Sequence, residues 1–207
     1  MAKLGKNSAT AYIARLLSFL PDVEEPIAVA ERLVARFGNV DAVVGAGVEE
    51  LWEIDGLSDS AAALLRSTGA LASRRVTEDF ELGVEHTEEE ICEHLIGLYI
   101  AVPQETVYML VCDDENRIIA VENMGEGTVG ASEVYPRKLL EVAIKNRAKS
   151  IILAHNHPHG GPTASDDDIE GTKRLISLFA NAGIVLKVHY IVSGRNIKAV
   201  ETEEKKK

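Results

Sequence analysis

Apolar positions in the first 77 residues recur at helical spacing. The recurring positions are Ile13, Leu16, Leu17 and Leu20, then Ile27, Ala30, Leu33, Val34 and Phe37, and finally Leu51 and Ile54. Gly38 and the pair Asp55–Gly56 follow two of these runs, as expected where a helix ends. The pattern predicts short helices and a small all-α domain over residues 1–77. The polar run Arg74–Asp79 is the candidate linker after it.

From residue 84 onward, segments rich in β-branched residues alternate with amphipathic ones. Thr87 to Glu90 has capping-box spacing and predicts a helix that runs to about Leu98. The other predicted elements are strands at Thr106–Asp113, Arg117–Asn123, Ser150–Ala154 and Ile184–Val192, and helices at residues 136–148 and from Ser165 to about Ala182. Because Ser150–Ala154 is almost wholly apolar, we expect it at the centre of the sheet. The sequence predicts an α/β (α+β) fold over residues 84–200, followed by a charged tail at 201–207.

Composition narrows the class of protein. Hydrophobic residues make up 46% of the 207 positions, which is normal for a globular chain. The apolar runs fall far short of the ~20 residues that cross a bilayer, and no continuous apolar segment of a secretory signal follows the N-terminal lysines. We therefore expect a cytoplasmic protein without a membrane partner. Cys92 and Cys112 are expected to be free thiols, which disfavours a disulfide framework or a cysteine-based zinc site.

The chain is acidic throughout. Its formal net charge is -11, with -5 up to residue 83 and -6 after it. Phosphate binding requires clustered Lys and Arg. The acidity therefore argues against a protein that wraps nucleic acid by charge alone.

Three of the six histidines lie within five residues, directly after the predicted central strand. In an extended segment His155 and His157 point to the same side, so that both imidazoles can reach one ion. The next helix begins with three aspartates, and a carboxylate from it could complete the set. Two histidines and one carboxylate leave a fourth position for water, which is typical of catalytic rather than structural zinc.

Ser165 and Asp168 also have a simpler interpretation. Ser-x-x-Asp at the start of a helix is a capping pattern, with Ser as N-cap and Asp at N3. Capping and metal ligation are compatible, and the aspartate could serve both.

The segment from His155 to Asp168 resembles the motif of a known family. His155-x-His157-Pro158, followed at the same spacing by Ser165-x-x-Asp168, is similar to the motif of JAB/MPN+ (JAMM) metalloproteases. The longer pattern His-Asn-His-Pro-x-Gly-x-Pro-Thr-x-Ser, together with Gly127-Thr128 and Val134-Tyr135-Pro136-Arg137 before it, resembles the RadC branch. The resemblance covers roughly residues 84–200 and implies a JAB/MPN-type mixed sheet flanked by helices.

The resemblance also implies roles for individual residues. His155, His157 and Asp168 would bind Zn²⁺, and Ser165 would donate a hydrogen bond to the developing oxyanion. Glu105, just before the first strand of the domain, would act as general base. Its alternative interpretation is a solvated Glu at a strand end.

Two positions depart from the RadC-like pattern. His159 stands where relatives usually have Ser, and Val188 stands where they have Asp, just before His189. His159 could shuttle protons or simply lie exposed in the loop. His189 could orient a metal ligand from behind.

Residues 51–58 resemble the hairpin of a helix-hairpin-helix module, which in some proteins holds a DNA phosphate. Residues 41–76 contain three arginines and six acids, and Asp55 lies in the hairpin itself. This balance favours packing or protein contacts over phosphate binding.

These observations support three functional hypotheses. The leading one is a zinc-dependent hydrolase of the JAMM metallopeptidase type that cleaves a peptide or isopeptide bond in a peptide or protein substrate. The alternative is a DNA-associated repair or recombination accessory protein of the RadC type. The third is a regulatory or assembly module whose metal site is closed to substrate, and the presence of Glu105 weighs against it.

Overall fold

The computed structural model describes residues 6–127, 134–158 and 160–202. By its contacts the chain divides into two compact units. The first consists of Met1–Val76 with Ile100–Pro103, and the second of Thr77–Tyr99 with Gln104–Lys207. That these units are separate domains with the borders given above stays a prediction.

The first unit is built from five α-helices. They are α1 Lys6–Leu17, α2 Pro26–Phe37, α3 Val40–Gly45, α4 Val48–Trp52 and α5 Asp59–Thr77. Their core contains most of the apolar positions that the helical spacing singled out, among them Ile13, Leu17, Leu33 and Leu51. Ile27, which belongs to the same pattern, is instead 66% exposed at the start of α2. The periodic pattern therefore identified which faces of α1, α2 and α4 are buried.

The longest helix differs from the prediction. α5 continues through Arg74 and Arg75 to Thr77, so most of the predicted linker is its last turn. Basic side chains there face the negative end of the helix dipole, which favours continuation of the helix.

The second unit contains a five-stranded mixed sheet. Its strands are β1 Thr106–Cys112, β2 Ile118–Glu126, β3 Ser150–Asn156, β4 Val185–Ser193 and β5 Asn196–Ala199. Their order is β2-β1-β3-β4-β5, and β3 and β4 are parallel while the other neighbours are antiparallel. β3 is the central strand, as its apolar sequence predicts. The short edge strand β5 was not predicted.

Three helices cover the sheet: α6 Glu88–Leu98, α7 Val134–Lys145 and α8 Asp166–Asn181. Val107 and Leu153 share a core with residues of α7 and α8. Leu110 and Ala154 share a second core with Leu95 of α6. The two cores lie on opposite faces of the sheet, because successive residues of a strand point to opposite sides. The predicted α/β (α+β) class, a mixed sheet flanked by helices and preceded by a helical region, is confirmed.

Two observations bear on membrane-spanning helices and on disulfide bonds. Among the residues described, no helix combines the length and the apolar character needed to span a membrane. Cys112 is buried, Cys92 is partly buried, and both are free thiols.

Candidate metal centre

The three predicted metal ligands meet where β3 ends and α8 begins. His155 lies on β3, His157 follows the strand directly, and Asp168 lies in the first turn of α8. β3 and β4 are parallel neighbours connected through α8. The carboxyl end of such a strand is a common position for ligand sites in sheets of this kind.

Short distances connect these side chains. His155 Nε2 lies 3.0 Å from His157 Nε2 and 3.1 Å from Asp168 Oδ1. His157 Nε2 lies 3.5 Å from Asp168 Oδ2. The side chains of His155 and Asp168 are 0% and 1% exposed, whereas that of His157 is 16% exposed. Solvent therefore reaches the cluster at His157.

The atoms that converge in this cluster are acceptors. His157 Nδ1 lies 3.1 Å from the carbonyl oxygen of Gly161, and since a carbonyl only accepts, Nδ1 carries the proton of the neutral ring. His157 Nε2 then has no proton and presents a lone pair. Asp168 Oδ1 is buried and has no hydrogen-bond partner in the described part of the chain. A cation among these atoms would satisfy them together.

The donor types suit zinc, and so do the separations of His155 Nε2 from the other two side chains. Zinc accepts imidazole nitrogen and carboxylate oxygen, and ligand atoms about 2.0 Å from a tetrahedral zinc ion lie roughly 3.3 Å apart. The contacts that His155 Nε2 makes, at 3.0 and 3.1 Å, are close to that spacing.

Asp168 uses its two carboxylate oxygens differently. Oδ2 accepts hydrogen bonds from Ser165 N at 2.9 Å and Ser165 Oγ at 2.6 Å, while Asp168 N donates to Ser165 Oγ at 3.1 Å. This is the predicted capping box at the start of α8. Oδ1 faces His155 instead. Burial raises the pKa of Asp168, but the hydrogen bonds from Ser165 lower it, and the net pKa lies far below its ordinary value.

His189 lies behind His155, on β4. Its Nε2 is 2.8 Å from His155 Nδ1, and its Nδ1 is 2.7 Å from Thr172 Oγ1. Thr172 Oγ1 also donates to the carbonyl oxygen of Asp168, one turn earlier in α8, at 2.6 Å. Burial, and then the neighbouring His155, lower the pKa of His189 to about 3, so the ring is neutral near pH 7.

Glu105 lies next to β1, just before its first residue, and is half-buried. Val107 pairs with His155, and residues directly opposite each other in a sheet lie on the same face. If the alternation of β1 continues, Glu105 lies on the face of Val107 and His155. The backbone around it is fixed by the amide of Asn156, which accepts from Thr106 N at 2.7 Å and donates to Gln104 O at 3.1 Å.

Sequence reasoning did not find Thr172 or Asn156. Neither side chain belongs to the quoted ligand motif as a ligand, and their partners lie 17 and 50 residues away in sequence. His159, the other departure from the RadC-like pattern, lies outside the described residues.

In the first unit, arginines of α2 bind the hairpin after α4. Arg32 Nη1 donates to the carbonyl oxygen of Asp55 at 2.7 Å, and its guanidinium lies 3.9 Å from the Asp55 carboxylate. Arg36 Nη2 donates to Glu53 Oε2 at 3.3 Å. These positive charges already face acidic groups of the same unit.

The sequence of the chain is similar to those of known proteins. The family described as "RadC-like JAB domain" matches residues 86–205. A UPF0758 protein of Desulforudis audaxviator is 32% identical over 178 residues, which cover 86% of this chain and 77% of that relative.

Two further relatives extend the comparison. A UPF0758 protein of Cupriavidus necator is 31% identical over 204 residues, covering 96% of this chain and 90% of its own length. One of Finegoldia magna is 35% identical over 177 residues, covering 84% and 78%. These names specify neither a reaction nor a metal. The family match spans more than half of the chain, and the chain therefore belongs to the RadC-like JAB domain family.

Proposed function

We propose that the protein is a zinc-dependent hydrolase of the JAMM metallopeptidase type, which cleaves a peptide or isopeptide bond. The observation that carries the proposal is the cluster of His155, His157 and Asp168, in which a bare imidazole nitrogen and an unpartnered carboxylate oxygen meet. Such a set of buried acceptors is costly without a cation.

The cluster suits a catalytic ion better than a structural one. Among the residues that the structure describes, three side chains are grouped, and one of them, His157, is partly exposed. Structural zinc sites are closed by four protein ligands, whereas catalytic sites keep one position open. A bound zinc ion would supply Lewis-acid chemistry and lower the pKa of water to about 7.

Glu105 is the proposed general base. Its carboxylate would take a proton from the attacking water and deliver it to the amide nitrogen as the scissile bond breaks. Support comes from the backbone of β1: Thr106 and Gln104, on either side of Glu105, are both held by Asn156, which lies between the two histidines.

Ser165 is the proposed oxyanion donor. Its hydroxyl donates to Asp168 Oδ2 in the capping box. To stabilise an oxyanion, the hydroxyl must turn away from that oxygen. Ser165 N also donates to Oδ2, so the carboxylate would keep one of its two bonds from Ser165 during the turn.

The zinc content of the wild type and of ligand variants tests whether the cluster binds zinc. We expect one zinc ion per chain in the wild type, and loss of that zinc in His157→Ala and Asp168→Asn. Ser165→Ala is the control for disruption of the capping box alone, and it should retain zinc. Wild-type protein that binds no zinc at stoichiometric amounts would contradict the proposal.

The turnover of a Glu105 variant tests whether Glu105 is the general base. Glu105→Gln keeps the size of the side chain but cannot accept a proton from water. We expect this variant to bind zinc like the wild type and to lose activity by about 10²-fold or more in a screen of peptide libraries and ubiquitin-like conjugates. Equal turnover of variant and wild type would exclude Glu105 as the base.

A further inference from the structure

A closed ring of side chains connects two of the proposed ligands from behind. It runs from the carbonyl oxygen of Asp168 to the hydroxyl of Thr172, then to His189 and to His155. His155 Nε2 then returns to Asp168 Oδ1 at 3.1 Å. All four residues are buried, with exposures of at most 3%.

Donor and acceptor counting fixes the protons in this ring. A carbonyl oxygen only accepts, so the single hydroxyl proton of Thr172 is donated to Asp168 O. Thr172 Oγ1 must then accept from His189 Nδ1. The neutral His189 ring therefore has a bare Nε2, and that nitrogen can only accept from His155 Nδ1.

The consequence appears at the other nitrogen of His155. With its proton on Nδ1, the neutral ring presents a lone pair at Nε2, towards His157 and Asp168. A metal ligand needs this tautomer, and the partner of the other ring nitrogen usually selects it.

We propose that Thr172 and His189 are positioning residues that lock His155 in its metal-binding tautomer, with Thr172 anchoring the ring to the backbone of α8. This inference rests on the proposed function for the identity of the ion, but the tautomer itself is a property of the metal-free protein. An imidazole in this position holds His155 without adding a second negative charge beside the ion.

Two variants of Thr172 separate the hydroxyl from its shape. Thr172→Val keeps the branched side chain and removes the hydroxyl, whereas Thr172→Ser keeps the hydroxyl and removes the methyl group. In Thr172→Val the Nδ1 proton of His189 has no acceptor. His189 then moves its proton to Nε2 and donates to His155, which places the proton of His155 on the metal-facing nitrogen.

The first measurement is the Kd for Zn²⁺, from competition with a chromogenic chelator. We expect Thr172→Val to bind zinc about 10- to 100-fold more weakly than the wild type, and Thr172→Ser to stay within roughly threefold. Denaturant unfolding of both variants shows whether they remain folded. A folded Thr172→Val with wild-type affinity would overturn the inference.

The second measurement needs no variant and no metal. A ¹⁵N side-chain correlation spectrum of the metal-free wild type reports which nitrogen of each ring carries the proton. We expect His155 and His189 both as Nδ1–H tautomers. A proton on His155 Nε2 would refute the proposed role of Thr172 and His189, even if the protein binds zinc.

The two measurements distinguish two failures. If the wild-type protein shows the expected tautomers but does not bind zinc, the proposed zinc hydrolase is wrong, and the tautomer selection by Thr172 and His189 stands. If the protein binds zinc but His155 carries its proton on Nε2, the tautomer selection is wrong, and the zinc site stands.

Discussion

Asn156 lies between the two histidines proposed as metal ligands and is almost completely buried. Its side chain makes one hydrogen bond to the residue before Glu105 and one to the residue after it. His155 and His157 thus belong to the cluster, whereas Asn156 between them fixes the segment that carries the proposed base.

Replacing Asn156 with alanine should loosen this segment. A buried amide that loses its acceptor costs about 1–3 kcal/mol, so we expect faster hydrogen exchange at Thr106 N in Asn156→Ala. The amide of Leu110, in the middle of β1, is the internal control and should keep its protection. Unchanged exchange at Thr106 would show that Asn156 does not hold the segment.

His94 is a second buried imidazole, distant in sequence from the cluster. It is 6% exposed, stacks on Phe80 at 3.7 Å between ring centroids, and neither ring nitrogen has a partner among the described residues. Burial, and then the charge of His86, lower the pKa of His94 to about 4.

This pKa makes stability depend on pH. The unfolded chain binds a proton at His94 near pH 6.5, and the folded chain only near pH 4. The stability contribution of neutral His94 is therefore complete above about pH 6.5 and is lost as pH falls towards 4.

Urea unfolding at about pH 7 and about pH 4.5 checks the effect. In His94→Leu the loss between these values should be smaller than in the wild type, by about 1–2 kcal/mol after allowance for solvent screening. His86→Leu, which removes a more exposed imidazole that stacks on the same ring, is the comparison variant. Equal losses in wild type and His94→Leu would contradict the prediction.

At the residue scale, the sequence predicted what is close together in the chain. The histidine pair and Ser165-x-x-Asp168 could be recognised because each is a local pattern. The partners of Asn156 and Thr172 could not, because only the pairing of β1, β3 and β4 brings them together. The bare Oδ1 of Asp168 likewise depends on which oxygen the cap uses.

Among the elements, α5 shows why a glycine can lie inside a long helix. A Cβ atom at Gly69 would lie 2.7 Å from the carbonyl oxygen of Val44 and 2.8 Å from the Ala101 side chain. Both distances are shorter than real contacts allow, and the oxygen belongs to backbone. The glycine permits α5 to pack closely against these residues of the first unit.

Gly69→Ala should therefore destabilise the protein. Overpacking costs about 1–3 kcal/mol, which exceeds the gain of up to ~1 kcal/mol that alanine gives in a helix interior. Ser67→Ala, at an exposed position of the same helix, should be neutral or slightly stabilising. Thermal unfolding of both variants provides the comparison, and a higher Tm for Gly69→Ala would contradict the close packing.

The same helix explains what the hydrophobic pattern missed. α5 is rich in Ala and Ser, so its apolar stripe is weak in sequence, and its buried side includes Gly69 itself. β5 has four residues, of which Ile197 is half-buried, too few for a period of two to stand out. By contrast, α6 and α8 begin directly after the N-cap residues that their capping boxes predict, Thr87 and Ser165.

For the whole molecule, charge bears on possible partners. The net charge of -11 repels a polyanion at long range. At short range, Arg32 and Arg36 face Asp55 and Glu53 of the hairpin. These exposed ion pairs contribute little to stability, but they neutralise positive charge that a phosphate would need.

We therefore expect no duplex DNA binding tighter than about 10⁻⁴ M at roughly 150 mM salt. Fluorescence anisotropy with a labelled duplex measures it. The double variant Glu53→Gln, Asp55→Asn removes the two negative charges beside these arginines with little change in shape and should bind more tightly at low salt. Micromolar binding by the wild type with a steep salt dependence would instead support the DNA-associated alternative.

The proposed ligands lie at the end of one strand and in the helix that follows it, so a bound ion would close only the segment between residues 155 and 168. Closing a short loop removes little entropy from the unfolded chain, and the sheet has cores of its own on both faces. Zinc would then stabilise the fold mainly by mass action, at about 1.4 kcal/mol for each tenfold excess of free metal over Kd. The folded state would persist at low zinc, and its melting temperature would follow the zinc supply.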